Sequence, residues 1–198
     1  MVERAHKGMR AAVAALALGL AVTATGAGAR ADSTIVPLGL QVQLVSKVAD
    51  YDKTLPGRES GVVRVLVVER AAAPESASAA AHALNALSNI DRIAGLPHED
   101  ALVEFSDAAA LASVCRARGA SILFVTPGLA DAYESIAAAL VGVPVLSVSA
   151  TVSGVAKGIV LGFDLVGGKP KLFVSLSATR KQGVRLSPDV LKIATVIE

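Results

Sequence analysis

The chain has 198 residues, 53% of them hydrophobic, with aromatics at only 3% and a formal net charge of +2. That length and apolar content allow one α/β domain with a full core, and the shortage of rings means a core of small side chains. The positive charge belongs to the first segment, since residues 1–31 hold four of the 19 Lys+Arg and one of the 17 Asp+Glu. A near-neutral body without basic runs argues against nucleic-acid binding.

Met1–Arg10 carries Arg4, Lys7 and Arg10, Ala11–Val22 is an apolar run, and Thr23–Ala31 ends in Ala29-Arg30-Ala31. A basic n-region, a short h-region and an A-x-A site in that order predict a signal peptide cleaved before Asp32, and hence a periplasmic body spanning residues 32–198. A retained anchor is the competing reading, but the run is well short of the roughly 20 residues a membrane span needs. The single cysteine, Cys115, rules out an internal disulfide. On an alanine-rich helix it reads as a small buried hydrophobe, with an intermolecular disulfide, and so a homodimer, as the alternative.

In the mature part, Leu40, Leu44, Val45, Val48 and Tyr51 fall at helical spacing within Leu38–Tyr51. Asp52–Gly61 reads as a loop, and the β-branched run Val62–Val68 as a central strand covered on both faces. Pro74 and Glu75 open a second helix, with Ala80, Ala83, Leu84, Leu87 and Ile90 as its buried stripe. Ala101–Phe105 is a short strand. Asp107 caps a helix that Gly119 stops. Ser121–Val125 is the next strand, Thr126-Pro127-Gly128 a turn, Ala130–Leu140 a helix and Pro144–Ser149 a buried strand, followed by a loop over Ala150–Gly158. This alternation predicts parallel β-α-β units.

Gly167-Gly168 then reads as a two-residue hairpin turn, because both central positions need positive φ. The register that follows sets Val166 opposite Lys169, Asp164 opposite Lys171, Gly162 opposite Phe173, Phe163 opposite Leu172 and Leu161 opposite Val174. One face collects Ile159, Leu161, Phe163, Leu165, Pro170, Leu172, Val174 and Leu176, and the other is mixed. Ser177–Gln182 is a short helix. Ser187, Pro188 and Asp189 start a last one, which packs through Val190, Leu191, Ile193, Ala194 and Ile197. The expected fold is therefore a single α/β domain with a mixed, mostly parallel sheet, flanking helices and a C-terminal antiparallel hairpin.

No nucleophile elbow, phosphate loop, dinucleotide fingerprint or zinc-protease motif is present, so neither an enzyme nor a cofactor is expected. His82 and His98 have too few companions for a metal site. Two loops follow parallel strands, where α/β folds bind ligands. Thr126 and Gly128 lie in one, Ser149 and Ser153 in the other. On the mixed face of the hairpin, Val160, Gly162, Phe173 and Ser175 form a candidate partner surface, unless a helix covers it.

Pro144-Val145-Leu146-Ser147-Val148, Leu172-Phe173-Val174-Ser175-Leu176 and the run from Gly183 through Leu186-Ser187-Pro188-Asp189-Val190-Leu191 to Ala194 together resemble the YfiR family of periplasmic proteins. Ser121–Val125 and Val65–Val68 match its earlier strands more loosely. Departures are Ser175, where asparagine is common, the missing Trp-Pro pattern around Tyr51–Pro56, and the missing paired cysteines. The resemblance implies a small exported, non-enzymatic α/β repressor. Its partner would be the periplasmic sensor portion of a membrane-bound diguanylate cyclase, whose cyclic-di-GMP output drives biofilm formation. A periplasmic small-molecule-binding domain using the loops after Val125 and Val148 is the other reading.

Overall fold

Strand β1 (Val63–Glu69) lies inside the sheet, and its alternating side chains belong to two separate cores. Val63, Val65 and Val67 enter one, Leu66 and Val68 the other. This is what a β-branched run with no polar face dictates. The computed structural model describes residues 35–57 and 61–198; the expected leader and cleavage site lie outside them, as do residues 58–60 of the first loop.

Among the described residues, seven strands form one sheet in the order β2-β1-β3-β4-β5-β6-β7. These are β2 (His98–Glu104), β1, β3 (Ile122–Val125), β4 (Leu146–Ser149), β5 (Leu161–Val166), β6 (Lys169–Ser175) and β7 (Thr195–Ile197). All neighbours are parallel except β5 and β6. Helices α1 (Leu38–Ala49) and α2 (Pro74–Leu87) cover one face; α3 (Ala108–Arg118) and α4 (Tyr133–Ala139) cover the other. The expected single α/β domain with a mixed sheet is what the chain forms.

The hairpin closes where the two glycines predict. Gly167 and Gly168 have φ of 58° and 75°, and the pairs are Val166 with Lys169, Asp164 with Lys171, Phe163 with Leu172, Gly162 with Phe173 and Leu161 with Val174. Leu161, Phe163, Leu172 and Val174 join the core beneath α1 and α2. Ile159 joins the opposite core, and Pro170 stays exposed. Asp107 accepts a bond from the Ala110 amide at 2.8 Å, and Gly119 ends α3 in the left-handed region.

Four expectations are corrected. β2 begins at His98, not Ala101, because the strand pairs with β1 from Val63 onward. The loop after β4 contains a short helix, α5 (Val152–Ala156). The helix expected from Ala130 starts at Tyr133, after a turn closed by Ala132 N–H to Leu129 O. Finally, α7 (Pro188–Ile193) does not run on to Ile197. Ala194 turns to ψ 156° and releases β7, which pairs in parallel with β6. Ile193, expected to pack, is 74% exposed. Between the hairpin and α7 lies α6 (Leu176–Lys181), capped by Ser175.

Candidate functional site

Sheet order places the topological switch between β1 and β3: from β1 the chain crosses first to β2 on one side, then back to β3 on the other. Crevices at such points, beyond the carboxyl ends of the strands, are where open α/β sheets hold ligands. Here two of the protein's own side chains pair across it. Arg70, one residue past β1, makes a two-pronged pair with Asp131 at 2.9 and 3.1 Å. Its guanidinium also donates to Gly128 O at 3.0 Å and lies 5.7 Å from the centroid of the Phe105 ring. The hydrogen bond from Arg70 holds the Asp131 carboxyl below the usual range.

Beneath that pair runs a relay of fixed direction. The Arg70 amide donates to Ser76 Oγ at 2.8 Å. Thr126 Oγ1 donates to Val68 O at 2.7 Å, so the 2.6 Å contact between the two hydroxyls has Ser76 as donor. Thr126 is fully buried and caps no helix; it ties the end of β3 to β1 and, through Ser76, to α2. Gly128 has φ of 89°, and an added Cβ would lie 3.0–3.2 Å from Ser76, Glu75 and Ala73. The first candidate loop is thus a structural joint. Thr126→Val leaves the buried Ser76 hydroxyl proton without its acceptor and the Val68 carbonyl with only the Thr126 N–H at 3.3 Å, and is expected to cost about 1–3 kcal/mol. Ser153→Ala, at an exposed residue, stays within about 0.5 kcal/mol of the parent, as surface changes do. Denaturant unfolding of the two variants checks the contrast.

The second loop is also drawn inward. Ser149 Oγ donates to Thr151 O at 2.7 Å, with Leu161 O at 3.2 Å. Ser153 stays on the surface, where its hydroxyl meets that of Thr151 at 2.8 Å. Tyr133 is buried against this corner; burial raises its phenol pKa, and a hydrogen bond with Thr151 opposes that rise. Gln41 reaches across from α1, its Nε2 donating to Val36 O at 2.7 Å and Ala150 O at 3.1 Å.

The four hairpin residues expected to face a partner are mostly covered. Val160 is fully buried: its amide donates to Ser147 Oγ and its carbonyl accepts from Ser175 N–H. Ser175 is buried as the cap of α6, accepting from Ala178 N–H at 3.2 Å. Gly162 lies under α5. Phe173 is half-buried. Val160, just before β5, turns instead into the core beneath α1 and α2, while Gly162 is covered by α5, a helix hidden in a Ser/Gly-rich stretch. What stays open on that face lies toward the turn, at Val166, Lys169 and Lys171.

Cys115 is 1% exposed, and burial pushes its thiol up to about 11. It is a core side chain, with no surface from which to bridge to a second copy. Among the described residues, no group of three His, Cys, Asp or Glu is placed to hold a metal ion, and no helix is long and apolar enough to cross a membrane.

A family model described as YfiR/HmsC-like matches residues 43–195. The chain belongs to this family. The match takes in both cores, both candidate loops and the hairpin, well beyond the last third on which the resemblance in sequence mainly rests. The family is one of periplasmic, regulatory, non-catalytic proteins of diguanylate cyclase signalling. Among solved structures the fold is similar to a conserved domain protein from Vibrio cholerae O1 biovar eltor, with a TM-score of 0.57 and 17% identity over 82% of this chain and 60% of that one. It is also similar to an ABC domain from Streptococcus pneumoniae in complex with L-Trp, with a TM-score of 0.59 and 13% identity over 81% of this chain and 60% of that one. This chain therefore spans about three fifths of those two chains, and identities this low speak for the fold alone. No curated protein matches it.

Two features of the site were missed in the sequence. Arg70 and Asp131 belong to no motif and are 61 positions apart. The usable signal was positional: an arginine one residue past a central strand, and an acid six residues past the strand beside it.

Proposed function

We propose that this protein is exported and acts by binding the periplasmic domain of a membrane-bound diguanylate cyclase, holding its output down. Family membership over residues 43–195 carries the reading. The mechanism is equilibrium control: a protein that binds one state of the cyclase's sensor better than another shifts its population by that difference in affinity. The pairing at the switch point agrees with it, since a small ligand bound there would first have to part Arg70 from Asp131 and Gly128. The L-Trp of the pneumococcal domain is thus no guide to this chain's binding partner.

With Val160, Gly162 and Ser175 buried, contact through the hairpin rests on Phe173 and on the turn-side residues Val166, Lys169 and Lys171. Val166 is 50% exposed at a ribbon tip between two exposed lysines and one half-buried aspartate. Deleting the gene is expected to raise cellular cyclic-di-GMP several-fold, and Val166→Asp to raise it partway while leaving the thermal midpoint unchanged. A cyclic-di-GMP level untouched by deletion under several growth conditions removes the repressor reading. A deletion phenotype that Val166→Asp does not share moves the contact off the hairpin.

A further inference from the structure

His98 opens β2, the strand on the outer edge of the sheet, and its ring is held at both nitrogens. Nδ1 lies 2.8 Å from Asp100 Oδ1, and Nε2 lies 2.7 Å from Ile90 O. A carbonyl oxygen only accepts, and so does a carboxylate, so both bonds exist together only while both ring nitrogens carry hydrogen. The two side chains are 8% and 17% exposed, so water does not readily replace either partner. Deprotonation leaves one nitrogen lone pair facing an acceptor, which breaks a bond and adds repulsion.

Ile90 belongs to the segment that leads from α2 into β2. This segment turns back on itself through reciprocal backbone bonds between Ile93 and Leu96, at 2.9 and 3.0 Å. At its apex Ala94 takes φ of 52° without being glycine, a conformation that surrounding contacts must hold in place. Ile93, beside it, is 1% exposed and sits in the core under α1 and α2.

Among the described residues, the charged groups around the ring are few. Asp100 faces it from its own strand. Glu99 points to the other side of β2 and pairs with Arg64 of β1 at 3.4 Å. In the segment, Asp91 is exposed and Arg92 donates to Gly95 O. On α1, Lys47 and Asp50 line a groove with Ile90 and Arg92 and pair with each other at 3.9 Å. Asp100 is thus the charge that governs the ring.

We propose that His98 is a pH-dependent clasp: its imidazolium ties residues 90–96 to the open edge of the sheet, and loss of the proton lets that segment loosen. Burial alone lowers the pKa of His98, but the bonds to Ile90 O and Asp100 outweigh it, and the net shift is upward from 6.5. A group raised on folding gives its full stabilisation below the unfolded value and loses it as pH climbs through the folded one. The clasp is therefore closed in mild acid and opens toward alkaline pH. A periplasmic protein meets such a range when the surrounding medium changes.

Amide hydrogen exchange of Ile93 and Leu96, expressed as protection factors corrected for intrinsic rates, tests this. Protection in the wild-type chain is expected to fall about tenfold between about pH 5.5 and 8.5. In His98→Gln, which cannot titrate, it should stay flat. Asp100→Asn keeps an acceptor but removes the charge, and should move the midpoint to lower pH; this variant decides the matter if His98→Gln does not fold. Flat protection in the wild type, the same fall in His98→Gln, or an unmoved midpoint in Asp100→Asn each overturns the clasp.

Discussion

Gly162→Val is expected to lower the thermal midpoint by about 6–12 °C, the shift that about 3 kcal/mol produces in a chain of this size. A Cβ built at Gly162 would stand 2.5 Å from Val155 Cγ2, 2.6 Å from Thr151 O and 3.1 Å from Ser149 Oγ. Val155 can turn; the Thr151 carbonyl cannot move without lifting α5 off β5. Gly162→Ala already meets the backbone and is expected to cost about 1–3 kcal/mol. Adding Val155→Ala to it relieves the side-chain collision alone, so the double variant should recover only part of the loss. A Gly162→Val midpoint within about 1 °C of the parent would mean that α5 does not rest on this strand.

The same contact explains what could and could not be read in advance. The hairpin was legible because two independent signals agreed on one register, a turn demanding positive φ at two positions and an alternation that sorts apolar from mixed. A slip by one residue would have exchanged the faces. Gly162 was legible only in part: a glycine opposite an aromatic implies a close approach, yet does not say by what. The answer was α5, with five residues, a glycine within it and no side-chain bond at its cap. So short a helix is not stable by its own propensity and exists through its seat on the sheet. β7 was hidden for a related reason. Ile193 and Ile197 stand four apart and look like one more helical turn, but the chain leaves the helix at Ala194 because the outer edge of β6 offers Thr195–Ile197 a strand to pair with. Long-range pairing overrode a short local pattern. The joint at the switch point was unreadable from spacing, as Arg70, Ser76, Thr126 and Asp131 come together only once the order β2-β1-β3 is known.

Phe163→Ala is expected to cost about 3–5 kcal/mol, the range for emptying a buried ring site. Phe163 is 2% exposed, in a core that is mostly valine, leucine, isoleucine and alanine and holds one other ring, Phe124. It also sits in the antiparallel pair, where Leu172 is its cross-strand partner and Leu161 and Val174 flank it on the same face. Small neighbours with few rotamers cannot collapse into the space a ring leaves, so most of the cavity should persist and the cost should fall toward the upper end. Phe163→Leu keeps most of the volume and should cost less than about 1.5 kcal/mol. Denaturant midpoints at constant slope measure both. Phe173→Ala provides the contrast, because that ring is on the other face of the ribbon and only half-buried. It should lose clearly less stability than Phe163→Ala, and if the hairpin is the contact surface it should release the cyclase all the same. A Phe163→Ala loss no greater than that of Phe173→Ala would mean that the ribbon's apolar face is not packed on the core. The register shared by the sequence and the fold would then lose its physical cause.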